Sequence, residues 1–357
     1  MNKLYHPLSM SAQTTFSELS DQVFDAEMQS SLSGLTGSFN LRRIKTKDYW
    51  YFGYRDIDGS GKMIYVGPDE SRVRELVDRF NAERNTKPTA PLAQASIALG
   101  CASVLPKHFR IIKRLAEYGL FRAGGVLIGT HAFLTYGNML GVQWEAGQKT
   151  MDIDFAHAGR NISVALPSNI SIDVHGALES LQMGLLPISQ FSGKTGAQYR
   201  NPTDPELRLD FVTCEHRKEQ SLVRIPHMNF ALEPLKFMEF SLIDTTQSCL
   251  IGGQGACMVN LPSPERYAVH KLIIYGERPI NQRVKANKDL IQAASLISYL
   301  MGNGRDEHLK TAWMDAKSRG KGWEKRLAQG WQALIHSYPD LEKFRTFLDA
   351  PGVQEEG

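Results

Sequence analysis

The segment Thr150-Met151-Asp152-Ile153-Asp154-Phe155-Ala156 holds the residues best suited to chemistry. It reads as a strand, on which successive side chains point to opposite faces. Asp152 and Asp154 therefore share one face and Ile153 takes the other. Two carboxylates that close repel unless a cation neutralises them. Their oxygens are hard ligands suited to Mg²⁺, which takes one or two carboxylates together with substrate phosphates. A solvated acid pair is the plainer reading of a lone Asp-x-Asp, but two further segments bear on it. Upstream, Leu127-Ile128-Gly129-Thr130 is an apolar strand ending in a glycine and a hydroxyl residue, with the helix former HAFLTYG after it. A small residue there lets a phosphate approach the backbone, and free N–H groups at a helix start favour an anion. Downstream, Arg208-Leu209-Asp210-Phe211-Val212 alternates as a strand. Asp210 shares its face with Arg208 and Val212, opposite Leu209 and Phe211. By itself it would be a surface acid or a partner of Arg208. Together, three carboxylates can hold two metal ions, the arrangement for in-line phosphoryl or nucleotidyl transfer.

Several cations could serve such a site. Lys271 lies beside the apolar stripe of a helix. There it is either a surface lysine with a buried stem or a point charge on a phosphate. Lys288-Asp289 is either an exposed pair at a helix start or part of the site. Arg278 and Arg283 flank Pro279 in a loop, and His270 reads as a core histidine. Near the N-terminus, Arg42, Arg43, Lys45, Lys47, Arg55 and Lys62 interleave with Tyr49, Trp50, Tyr51, Phe52, Tyr54 and Tyr65. Basic side chains with aromatics on a small sheet suit phosphate contact and base stacking. The plainer alternative is a sheet that buries alternate aromatics against a helix. Two other signals fail. Ser192-Gly193-Lys194-Thr195 lacks the earlier glycine of a P-loop, because Ile188 stands there. Gly252-Gly253-Gln254-Gly255 follows no dinucleotide-binding pattern and reads as a flexible loop.

The elements that must position these residues follow from periodicity. Residues 9–32 read as a helix with Phe16, Leu19, Val23 and Phe24 near helical spacing. Residues 38–67 read as two or three antiparallel strands, the last two joined at Asp58–Gly61. A helix over 69–84 carries Val73, Leu76, Val77 and Phe80 on one stripe, and 85–91 reads as a linker. Two helices follow in 92–119, then an α/β stretch to 215 with a short helix in 170–184. Ser263-Pro264-Glu265 caps a helix that continues through ERYAVHKLIIYG. KANKDLIQAASLISYLM and two weaker helices follow to about 349. The chain has 357 residues with 42% hydrophobic and 22% charged, which excludes a disordered chain. The apolar runs are too short for a membrane span. The N-terminus lacks the apolar core of a secretory signal. The four cysteines form no CxxC, so buried reduced thiols in the cytoplasm are expected. A net charge of +3 permits a nucleic-acid partner only if the basic residues cluster.

The order Gly-[Ser/Thr], Asp-x-Asp, single Asp resembles the DNA polymerase β-like nucleotidyltransferase superfamily. More narrowly, GGVLIGTHAFLTYG, TMDIDFA, SPERYAVHKLIIYGERP and KANKDLIQAASLI resemble a bacterial nucleotidyltransferase-like family related to the abortive-infection toxin nucleotidyltransferases. The resemblance covers roughly 120–300. It implies that Gly129 and Thr130 hold the triphosphate, that Asp152 and Asp154 bind metal, and that Asp210 is a base or metal partner. Lys271, Arg278, Lys288 and Asp289 then belong to nucleotide binding. The longer gap between Thr130 and Asp152 implies an inserted loop at 141–149. Ala286 and Gln292 depart from the toxin pattern, which has Arg and Asp there. The expected fold class is α+β: the resemblance implies a nucleotidyltransferase core of a small mixed sheet with helices, and the sequence pattern adds an N-terminal basic β-ribbon and a C-terminal helical domain. The expected divisions are a helical arm at 1–36, ribbon plus helix at 37–91, core at 92–262 and helical domain at 263–357. The implied activity is transfer of an NMP from an NTP to a hydroxyl with Mg²⁺ or Mn²⁺. RNA or tRNA is favoured slightly over a protein acceptor, with Arg42, Arg43, Lys45 and Trp50 as acceptor contacts. The competing readings are a nucleic-acid-binding protein with a degenerate transferase fold, and a toxin–antitoxin component.

Overall fold

The computed structural model describes residues 3–33, 37–55, 61–84, 89–147, 150–158, 173–189, 195–215, 222–225 and 230–350. A short strand β1 (Tyr5–Pro7) leads into helix α1 (Met10–Ser33). Ala12, Phe16, Leu19 and Val23 recur every three or four residues and are buried, whereas Phe24 is exposed. That stripe joins Ala93, Cys101, Cys249 and Ile251 in a small second core. Strands β2 (Gly37–Ile44), β3 (Lys47–Arg55) and β4 (Gly61–Pro68) form an antiparallel sheet, and α2 (Ser71–Arg84) follows it. The expected turn at Asp58–Gly61 lies outside the described residues up to position 60. Most of the expected linker, 85–88, also lies outside them. Its remainder is helical: Thr89 and Pro91 stand in the first turn of α3 (Thr89–Ala98), where a proline's missing N–H costs nothing.

The central sheet is built next. After α4 (Pro106–Glu117) come β5 (Val126–Ile128), α5 (Gly129–Met139), β6 (Val142–Trp144) and β7 (Asp152–Ala156). The stretch expected as an inserted loop thus contains a strand. β6 pairs antiparallel with β1 and ties the N-terminus to the core; positions 148–149 lie outside the described residues. Helix α6 (Val174–Ser180), strands β8 (Leu186–Ser189), β9 (Thr195–Asn201), β10 (Asp204–Cys214), β11 (Val223–Ile225) and β12 (Phe230–Leu235), and helix α7 (Met238–Leu242) complete this part. The first residues of the expected helix, 170–172, and Ser192–Lys194 lie outside the described residues. The sheet runs β11-β12-β10-β7-β5, with β9 pairing β10 and β8 pairing β9. β7, β10 and β12 are mutually parallel and the edges antiparallel, so the sheet is mixed. Helix α5 is buried from Thr130 to Asn138, a helix with no polar side.

The Gly252–Gly255 segment is not a flexible loop. It is the tight turn of a hairpin, β13 (Thr245–Gly252) and β14 (Gly255–Pro262). Helix α8 (Pro264–Glu277) then starts on Ser263, whose Oγ accepts from the Arg266 N–H. Helices α9 (Arg283–Gly302), α10 (Asp306–Ser318), α11 (Lys321–Ser337) and α12 (Arg345–Asp349) follow. One continuous set of buried side chains runs from Val104 through Phe155 and Phe211 to Trp313, Trp331 and Leu348. The helices after 263 therefore press directly onto the sheet. Arg266 is buried and paired with Asp244 and Asp315, so that flank of α8 does not face solvent. All four cysteines are free and buried. Among the described residues no helix is long and apolar enough to cross a membrane.

Candidate active site

Strands β7 and β10 lie parallel with Asp154 beside Asp210 and Asp152 beside Arg208. Ile153, Phe155, Leu209 and Phe211 fill the core on the other face. The strand period of two thus sends three carboxylates and one guanidinium to a single surface. On the other flank of β7, Ile128 of β5 pairs with Asp154. The chain then turns at Gly129, whose φ of +64° suits glycine. A Cβ there would overlap Oδ2 of Asp154. The backbone that opens α5 therefore lies directly against the Asp154 carboxylate.

The electrostatics describe acids short of a cation. Burial, and then the neighbouring Asp152, push the Asp154 carboxyl above the usual carboxylate range; Lys271, Lys288 and Lys285 pull against them. Asp210 is pushed up to about 6, first by burial and then by Asp154, with Arg208 opposing. Asp210 Oδ1 is buried with no hydrogen-bond partner among the described residues. Arg208 stands between the outer acids, 3.4 Å from Asp152 Oδ2 and 3.4 Å from Asp210 Oδ2. Lys285 Nζ lies 3.8 Å from Asp152 Oδ2. As the side chains stand, no three His, Cys, Asp or Glu groups among the described residues are gathered tightly enough to clasp an ion.

Helices α8 and α9 close the site. Along α9, Lys285, Lys288, Asp289 and Gln292 fall at i, i+3, i+4 and i+7, one face of the helix. Asp289 is only 1% exposed and bridges two cations, accepting from Lys271 Nζ at 2.8 Å and Arg278 Nε at 2.5 Å. Burial raises its pKa, but Lys271 and Arg278 outweigh that and hold it below the usual range. Lys271 and Arg278 are therefore both engaged by protein, and Arg278 also donates to Gln282. Lys288 has no hydrogen-bond or ion-pair partner among the described residues. Burial, then Lys271, depress its ammonium, while Asp154, Asp289 and Asp152 attract it. The glycine turn is held from behind. Tyr267 Oη lies 2.8 Å from both the Gly129 carbonyl and Gln292 Oε1. Gln292 Nε2 donates to the Gly147 carbonyl at 2.9 Å and, at 3.4 Å, to Thr130 Oγ1. The Thr130 hydroxyl thus faces α9. Behind it, His131 and His108 share a 3.0 Å ring-to-ring hydrogen bond. Burial first, then the His108 ring beside His131 and the Lys107 ammonium near His108, depress them to about 3 and about 4, so both are neutral near pH 7. His270 is a buried neutral histidine, as its place in the helix implied.

Gly129, Thr130, Asp152, Asp154, Asp210, Lys271, Arg278, Lys288 and Asp289 therefore meet in one region of the fold. Arg42, Arg43, Lys45 and Trp50 stand elsewhere, on the β2–β4 sheet. There Arg43 pairs with Asp48, Trp50 Nε1 donates to Asp69, and Lys45 occupies the left-handed region in the β2–β3 turn. Sequence reading missed Lys285, Tyr267 and Gln292 as site residues and took Arg208 only as an ordinary partner of Asp210. Lys285 and Gln292 were within reach, because they extend the Lys288-Asp289 pair along one helical face.

No curated protein matches this chain. A solved structure, an antigenic nucleotidyltransferase-like protein from Paracoccidioides brasiliensis, is similar at 17% identity over 68% of this chain and 94% of that chain, with a TM-score of 0.34. A family model described as Nucleotidyltransferase matches residues 107–318, more than half of the chain, and spans every residue of the site above. The chain belongs to this nucleotidyltransferase family and is a transferase.

Proposed function

We propose that the protein moves a nucleoside monophosphate from an NTP to an acceptor hydroxyl, with Mg²⁺ or Mn²⁺ held by Asp152, Asp154 and Asp210. The carrying observation is the register that sets Asp154 beside Asp210 on parallel strands, with the glycine turn against Asp154. The donor chemistry suits a hard divalent cation, on which the three side chains would have to close. Their donors are all carboxylate oxygens, two of the acids are held above their usual range, and one buried oxygen has no partner. When bound, such a cation supplies charge neutralisation and a template for the NTP phosphates. The chain itself contributes positioning and electrostatics. The first N–H groups of α5, opening at Gly129, receive the triphosphate. The acceptor oxygen attacks the α-phosphorus, the bond from that phosphorus to the β-phosphate oxygen breaks, and pyrophosphate departs. Asp210 orients the acceptor hydroxyl and takes its proton. Lys288 meets the departing pyrophosphate with Lys285 at the rim, while Asp289 fixes Lys271 and Arg278 behind them. RNA, including tRNA, is the favoured acceptor, because the β2–β4 sheet clusters basic and aromatic residues.

The test is incubation with each α-labelled NTP, Mg²⁺ or Mn²⁺, and total RNA or lysate. The wild type should label an acceptor. Asp152→Ala and Asp154→Ala should abolish labelling while melting no lower than wild type, because each removes an acid from a crowded cluster. Labelling by either variant refutes the metal assignment, and absence of labelling with every NTP refutes the transfer.

A further inference from the structure

The β2–β4 sheet has two unlike faces. Cross-strand register puts Asn40 beside Tyr51, Arg42 beside Tyr49, Ile44 beside Lys47, and Tyr51 beside Tyr65. Residues paired directly across strands share a face, so Arg42, Lys47, Tyr49, Tyr51, Met63 and Tyr65 lie on one surface. Phe52 points the other way and is buried. On that second side α2 closes on β4, where a Cβ at Gly67 would stand 3.0 Å from Val73 Cγ2. The tyrosine face carries a connected ring cluster: Tyr65 lies 6.0 Å from Tyr49 and 5.6 Å from Tyr51. The Arg42 guanidinium stands 5.8 Å over the Tyr51 ring. Tyr65 is 53% exposed and Met63 is 39% exposed. Among the described side chains, this face bears Arg42 and Lys47 and no carboxylate.

We propose that this tyrosine face binds single-stranded RNA. Stacked bases need exposed aromatic faces, and a phosphate backbone needs cations without competing acids; this surface offers both. The chosen residues differ from those expected from the sequence. Arg43 is paired with Asp48 and Trp50 is tied to Asp69, both on the other side of the sheet. The proposal deepens the RNA-acceptor reading, yet it concerns binding alone and is measured without NTP or metal. Failure of transfer and failure of binding are therefore separable.

The assay is fluorescence anisotropy of the full chain with labelled single-stranded RNA of mixed sequence in EDTA, across salt concentrations. Tyr65→Leu should weaken binding roughly 5- to 150-fold and Tyr65→Phe should restore it, since base–aromatic stacking is lost and regained. Arg42→Gln with Lys47→Gln should lower the slope of log K against log salt by about 1.4, at about 0.7 per phosphate contact. Arg43→Gln, on the opposite face, should change neither. Unaltered melting temperatures identify variants with the sheet intact, and Tyr51→Leu replaces Tyr65→Leu if the latter fails that test. Four results each overturn the proposal: no binding by wild type, tighter binding of duplex than of single strand, equal losses for Arg43→Gln and the tyrosine-face variants, or full binding by a folded Tyr→Leu variant.

Discussion

Replacing Gly129 with alanine tests whether the turn and Asp154 act as one unit. The turn holds φ at +64°, and an L side chain in the left-handed region costs about 1–2 kcal/mol. The new Cβ would also overlap Asp154 Oδ2 and stand 3.2 Å from Cγ and 3.4 Å from Cβ of that residue. Carbon atoms rest at roughly 3.5–4.0 Å, so the carboxylate must move. Its freedom is limited, because it is half-buried on β7 between β5 and β10. Overpacking of this kind adds about 1–3 kcal/mol. Gly304 supplies the control: its φ is +72° and a Cβ there meets nothing within 4 Å. Gly304→Ala should therefore show the backbone cost alone, and Gly129→Ala that cost plus the overlap. Urea unfolding at one pH measures both. In an Asp154→Ala background the overlap disappears, and Gly129→Ala should then cost the same as Gly304→Ala within about 0.5 kcal/mol. Nucleotidyl transfer should survive Gly304→Ala and fail in Gly129→Ala. Equal costs for the two single variants, with transfer retained in both, would show that turn and carboxylate are independent.

Arg208→Met removes the guanidinium between Asp152 and Asp210. The ligand-free protein should melt lower, yet bind Mn²⁺ more tightly by calorimetry because no internal cation competes; weaker Mn²⁺ binding would mean that Arg208 helps hold the ion. Asp289→Asn leaves Lys271 and Arg278 without their buried counter-charge and should cost about 3–5 kcal/mol in urea unfolding. Lys271→Met should cost less, since Arg278 keeps Asp289 paired, and the reverse order would refute this ranking. His108 and His131 are neutral in the folded protein, at about 4 and about 3, against an ordinary value near 6.5. Between those values the unfolded chain binds more protons, so stability is full above about pH 6.5 and falls as pH drops toward 4. His108→Phe should flatten that decline, and an unchanged slope of unfolding free energy against pH would remove the pair from the account.

What could be read from the chain without its fold was whatever depends on neighbours in sequence. The alternation in Met151–Phe155 and Arg208–Val212 put the acids opposite the apolar residues because strand geometry is local. The glycine after Ile128 announced a turn for the same reason. Register was not legible. Nothing near Asp210 says that it lies beside Asp154 rather than Asp152, since that depends on pairing strands more than fifty residues apart. The strand at Val142–Trp144 passed for a loop because its partner is Tyr5–Pro7, at the far end of the chain. The hairpin around Gly252–Gly255 passed for a flexible loop because glycines mark a tight turn and a mobile segment alike. The cations show the deeper limit. Lys288 and Asp289 are adjacent in sequence and read as a pair, yet consecutive helical residues do not face each other. Asp289 instead takes Lys271 and Arg278, from another helix and the loop after it. Arg266 is likewise claimed by Asp244 and Asp315, neither of which is its neighbour in sequence. A sequence can show how many cations stand near a group of acids. Which of them the protein's own carboxylates have already taken is decided only by packing. In this fold that selection leaves Lys288 as the site lysine without a protein partner among the described residues, and therefore as the side chain on which an incoming phosphate should make its largest electrostatic difference.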